Sequence, residues 1–195
     1  MSFIPSQVAD ITVNWLNDVL PESVGKVESF TITRFGTGVG ILGELARLHF
    51  TYVDGPQAGP ATIVAKCQSP AVENQFLAQA MGFYLREVNF YREISAHLDV
   101  RVPQAYYADA GPEGLPFIIL IEDITDAYCP DQVKGLTLNE TERILDTVAV
   151  LHAEFWETPQ LYELTWLPPM NNPLYKAGKM MAEAQWPTFV EHFGE

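Results

Sequence analysis

Cysteine and positive charge are both scarce in this chain. Its two cysteines, Cys67 and Cys129, form no CxxC pair, and two thiols make no disulfide framework. Only 11 lysines and arginines stand against 25 aspartates and glutamates, a formal net charge of −14. That balance fits neither nucleic acid nor an anionic membrane, because phosphate binding draws on Lys and Arg. No apolar run approaches the roughly twenty residues that cross a bilayer. The opening stretch, MSFIPSQVAD, lacks the basic region and apolar run of a signal peptide. Charged residues make up only 18%, whereas 48% are hydrophobic, which is enough for a core and excludes the disordered class. At 195 residues there is room for one full domain or two small ones. The expectation is an acidic globular protein of the cytoplasm, with no nucleic-acid or membrane partner.

No repeat or low-complexity tract is visible. Val8, Ile11, Trp15 and Val19 recur at helical spacing, which predicts an amphipathic helix over residues 6–20, ended by Pro21. A strand-like stretch from Val27 to Phe35 leads into a glycine cluster, Gly36 to Gly43. Beyond it Ala46, Leu48, Phe50 and Tyr52 alternate with polar residues at strand period. A Gly/Pro turn then precedes a short β-branched strand, Thr62 to Cys67. Helical pattern runs from about Ala71 to Leu98, with a break near Gly82. Two further strands follow, PQAYYADA and the almost wholly apolar PFIILIED, whose composition predicts burial on both faces. The order β-β-β-α-β-β predicts an α+β domain, a five-stranded antiparallel sheet with one main helix, over residues 1–124. A second, helical part is expected over 125–195. It opens at Thr137-Leu138-Asn139-Glu140, which has capping-box spacing.

Gly38-Val39-Gly40-Ile41-Leu42-Gly43 fits GxGxxG, but a strand follows where a dinucleotide-binding fold needs a helix, and Asp54 arrives too early for the ribose-binding acid. No Lys-Ser or Lys-Thr closes the glycines as in a Walker A loop. Strand–glycines–strand is the layout of a phosphate-covering kinase loop, where missing side chains let backbone amides approach phosphate. A hairpin with glycine bulges accounts for the same residues. Lys66, in Ile63-Val64-Ala65-Lys66, lies where a kinase holds the α- and β-phosphates with a lysine oriented by a helix glutamate. Of Glu73, Glu87 and Glu93, only Glu87 falls in an apolar stripe, with Phe83, Phe90, Tyr91 and Ile94. A carboxylate there is costly without a partner. Glu87 is therefore the expected partner of Lys66. Glu122-Asp123-Ile124 ends the buried strand at the expected boundary, where free backbone groups suit a purine ring. His152, in HAEFW, lacks the second histidine of HExxH and reads as a packed or capping residue.

Taken in order, the glycine cluster, IVAK, REVNFYREI, the Pro-led strand, FIILIEDI and LHAEFW resemble the N-terminal part of the aminoglycoside-phosphotransferase-like kinases. The likeness is greatest to the bacterial branch related to ecdysteroid-kinase-like and choline-kinase-like proteins. It implies a two-lobed kinase fold with ATP in the cleft. Gly36, Gly38 and Gly40 would cover the phosphates, Lys66 paired to Glu87 would grip them, and the carbonyl of Glu122 and amide of Ile124 would meet adenine. The family's HGDxxxxN loop and the acidic metal ligand after it have no counterpart here. The expectation is thus a small lobe plus the first helices of the large one, inactive alone, with the Mg²⁺ ligands lying outside it. The complete enzyme would phosphorylate a hydroxyl of a small molecule, and the −14 charge suits a cationic acceptor. The other reading is a kinase-like module that binds a nucleotide or a partner without catalysis.

Overall fold

Runs of β-branched and aromatic residues, punctuated by Gly and Pro, build five strands joined into one antiparallel sheet. The computed structural model describes residues 3–36, 42–131, 133–169 and 173–194. The strands are β1 (Val27–Phe35), β2 (Gly43–Tyr52), β3 (Thr62–Gln68), β4 (Ala105–Ala110) and β5 (Phe117–Glu122). They lie in the order β1-β2-β3-β5-β4, so the last hairpin folds back to place its second strand against β3. The architecture is α+β, as the alternation predicts.

β5 carries the core. Phe117, Ile118, Ile119 and Leu120 are all fully buried, each contributing roughly 1.5–3 kcal/mol of transfer free energy. Pleating divides them: Ile118 and Leu120 face one cluster, Phe117 and Ile119 the other. This two-sided burial answers the continuous apolar run read from the sequence.

The N-terminal segment covers the first face. The expected single helix over 6–20 is instead a 3₁₀ turn, Val8–Asp10, followed by helix α1, Val13–Val19. Local capping makes the break. The Asp10 carboxylate accepts from the amides of Ser6 and Gln7, and Thr12 restarts the helix by accepting from the Trp15 amide. The apolar spacing survives the break, and Val8, Ile11, Trp15 and Leu16 pack on Ala46, Leu48, Ile63, Ala65, Cys67, Ile118 and Leu120. Burial pushes the Cys67 thiol up to about 12, so it is an inert core group.

The other face is covered by α3 (Phe83–Asn89), which follows α2 (Val72–Ala80) after a left-handed Gly82 at φ +66°. An L side chain rarely adopts that φ, which is why the helix breaks at this glycine. A π turn at Phe90–Ile94 and a 3₁₀ turn at Ser95–His97 extend α3. Helix α4 (Leu138–Phe155) starts at the capping box of Thr137 and Glu140.

By contact density the chain divides into two compact units, Met1–Thr158 and Pro159–Glu195. The second contains a 3₁₀ turn, Pro159–Glu163, and helix α5, Pro173–Phe193, with Pro187 inside it. No helix among the described residues is long and apolar enough to cross a membrane.

Candidate functional site

Strand alternation decides which way Lys66 points. Its neighbours Ala65 and Cys67 belong to the cluster under the N-terminal segment, so Lys66 projects to the opposite face, toward α3. There it shares a rung with Leu45 of β2, Ile119 of β5 and Ala108 of β4, while Phe35 of β1 opposes Leu45. Apolar side chains therefore flank the ammonium along the sheet.

α3 brings the counter-ion. Tyr84 and Val88, four residues apart, are its buried positions and pack against Phe117, Ile119 and Ala108. The buried face is centred on those two, so Glu87 lies at its margin and not within the stripe expected from Phe83, Phe90, Tyr91 and Ile94. From that margin Glu87 reaches the sheet. The Lys66 ammonium donates to Glu87 Oε1 at 2.6 Å and Oε2 at 2.8 Å. Their side chains are 27% and 31% exposed, which leaves one side of the pair open to a ligand. An ammonium has three N–H donors, so the two bonds to Glu87 leave one for an anionic oxygen. Glu73 and Glu93 are both exposed and lie on other stretches of helix.

Two groups invisible to sequence reasoning shape this pair. Gly43 lies against the lysine stem: a Cβ there would sit 3.1 Å from Lys66 Cε and 3.0 Å from the Cys67 carbonyl oxygen. The last glycine of the cluster thus gives the lysine its room. The second is Tyr84, whose ring stacks on Phe117 with centroids 4.5 Å apart. Its hydroxyl donates to the Leu42 carbonyl at 2.9 Å and accepts from the Ser69 amide at 3.1 Å. Burial raises the Tyr84 phenol above its ordinary range, so at neutral pH it keeps the proton it donates.

Of the three glycines assigned to phosphate, Gly36 follows the end of β1 in the left-handed region, at φ +71°. Gly38 and Gly40 lie outside the described residues.

Glu122 and Ile124 sit at the other end of β5. The Glu122 carboxylate is turned toward the chain before β4, accepting from Arg101 at 2.6 and 2.9 Å and from the Gln104 amide at 3.1 Å. The Arg101 guanidinium holds that carboxyl below its usual range. The Ile124 amide has no hydrogen-bond acceptor among the described residues. Between these two, Asp123 points back to the sheet and is only 4% exposed. It accepts from Arg47 through both guanidinium arms, the Nη2 bond at 2.9 Å, and from Thr62 at 2.7 Å. Arg47 in turn lies 5.2 Å from the Phe35 ring centre. This latch ties β2 and β3 to the chain leaving β5, and no spacing in the sequence announces it.

His152 is exposed in the last turn of α4, not packed, because α4 buries none of its residues. Among the described residues no group of three or more His, Cys, Asp or Glu side chains is placed to hold a metal ion. A scan against protein-family models found no match, and searches of curated proteins and of solved structures also found none.

Proposed function

We propose that this chain binds ATP as the nucleotide-holding part of a kinase-like small-molecule phosphotransferase. The observation that carries the reading is the Lys66–Glu87 pair, which joins a central strand to the covering helix and is open on one side. A salt bridge that stays partly exposed adds little stability of its own. A lysine held by a carboxylate, with one donor to spare, has the geometry for an oxygen of an α- or β-phosphate. Gly36 follows β1 in the left-handed region and Gly43 lies against the lysine stem, and the Ile124 amide, with no acceptor among the described residues, offers a donor to a base. The acidic surface weakens long-range attraction of a polyphosphate, so affinity rests on these local donors.

In the reaction the bond between Pγ and the departing ADP oxygen breaks, and a bond from Pγ to an acceptor hydroxyl oxygen forms. The hydroxyl proton leaves to a base. No His-Gly-Asp occurs in the sequence, and no residue of this chain is assigned that role. The net charge of −14 favours a cationic acceptor.

Titration of the chain with Mg·ATP, monitored by calorimetry, tests the reading. Wild type is expected to bind, and Lys66→Ala to weaken binding tenfold or more, about 1.4 kcal/mol, with an unchanged melting temperature. Equal affinity in the two proteins would exclude Lys66 from the site. Binding that persists in a full-length product with no phosphoryl transfer to any hydroxyl acceptor would leave a non-catalytic binding module.

A further inference from the structure

The β2–β3 ladder ends on the pair Gly43↔Gln68. Continued one residue further, its register would place Leu42 opposite Ser69. The structure shows no direct bond there. Instead the Tyr84 hydroxyl stands between the two, accepting from the Ser69 amide and donating to the Leu42 carbonyl. We infer that Tyr84 is a positioning residue of the nucleotide site, its hydroxyl serving as an inserted rung that fastens the stem of the glycine cluster to the helix carrying Glu87.

The inference rests on the ATP-binding reading for its purpose, but its geometry is independent of it. Ser69 is buried and anchored all round: its carbonyl accepts from Gln75 at 2.7 Å, and its hydroxyl accepts from the Ala71 amide and from Asn74, each at 3.3 Å. The rung therefore has a firm foot just past the end of β3. Its other foot, Leu42, adjoins Gly43, which packs on the Lys66 stem. Tyr84 itself is one helical turn before Glu87, and its ring is clamped by Phe117. One hydroxyl thus locks together the residue that follows the Lys66 strand, the helix that bears Glu87 and the end of the glycine cluster. A direct Leu42–Ser69 bond would close the ladder without tying the helix to its end.

The test is Tyr84→Phe, which keeps the ring and its stack and removes only the hydroxyl. Phe117→Leu serves as a control, since it weakens the stack but spares the rung. Amide hydrogen exchange at Ser69 and at residues 42–45 is compared with the melting temperature and with Mg·ATP affinity. Tyr84→Phe is expected to speed exchange at these amides about tenfold and to weaken Mg·ATP about five- to tenfold, the scale of one or two lost hydrogen bonds. Phe117→Leu is expected to lower the melting temperature at least as far while leaving local exchange and affinity nearer to wild type. Exchange in Tyr84→Phe no faster than in the control overturns the rung. Faster exchange with unchanged affinity overturns the positioning role. If wild type binds no Mg·ATP while the exchange difference holds, the ATP reading and its positioning role both fall, and the rung stands as a property of the fold.

Discussion

Asp123 shows how one side chain acquires a task that its neighbours in sequence do not suggest. In sequence Glu122-Asp123-Ile124 is only the end of a buried strand at a boundary, yet Asp123 is nearly buried and bound by Arg47 and Thr62. The hydrogen bond from Arg47 is the main cause that holds its carboxyl below the ordinary value of about 3.9. A lowered folded-state value means that Asp123 contributes stability fully above the unfolded carboxyl's range. This contribution is lost as pH falls below about 4 through the folded value. Asp123→Asn should therefore cost about 1–3 kcal/mol near neutral pH. It should also flatten the fall of melting temperature between about pH 5 and 2. An unchanged acid slope would show that the latch carries no linkage. The surroundings of Lys66 make the same point, since Gly43 leaves room for the lysine stem and the Tyr84 hydroxyl fastens its helix, and no motif in the sequence names either.

At the level of elements, the sheet is held to its two covers by different means. α3 packs through Tyr84 and Val88, whereas α1 is also clipped to β1 by a side-chain amide. Asn17 donates to the Val27 carbonyl at 2.9 Å and accepts from the Val27 amide at 2.8 Å, mimicking a strand neighbour at the start of β1. Asn17→Ala leaves both backbone groups of a buried residue without that partner. A loss of about 1–3 kcal/mol is expected in denaturant unfolding, with local exchange at the Val27 amide rising in parallel. A loss under about 0.5 kcal/mol would mean that water replaces the amide at no cost. β1 is an edge strand, so this clip also fixes where its pairing with β2 begins, next to the irregularity between Val27 and Ser29.

For the whole molecule, the contrast is between the central strands with the helices that cover them and α4 and α5, whose apolar side chains are largely exposed. α4 carries Ile144, Leu145, Val148, Leu151 and Phe155 at helical spacing, yet Ile144 is 47% and Leu145 60% exposed. In the second unit Trp186, Phe189 and Phe193 form a ring ladder along α5, also exposed. Contiguous apolar faces of this kind bind hydrophobic dyes and promote self-association. The double substitution Ile144→Glu with Leu145→Lys is expected to lower dye fluorescence and sedimentation-detected association. It should shift stability by no more than about 0.5 kcal/mol, as for surface sites. A stability loss above about 2 kcal/mol would show that these side chains are buried in solution.

How far the sequence was legible follows from which signals are local. Period-two alternation and Gly/Pro punctuation place the strands. The capping box at Thr137 places the start of α4, and a glycine able to take positive φ breaks the helix at Gly82. Apolar spacing also singled out Glu87 as partner of Lys66, and the two do meet, although Glu87 reaches the lysine from the margin of the buried face and not from within it. The N-terminal helix was legible in its buried positions but not in its continuity, since Asp10 and Thr12 compete for the backbone over a few residues. What no window of sequence contains is register. Only pairing across strands brings Leu42 opposite Ser69, sets Gly43 on the lysine stem and draws Arg47 to Asp123, 76 residues away. Those contacts join residues whose separation along the chain carries no periodicity, so they arise only when the sheet closes and the helix packs on it.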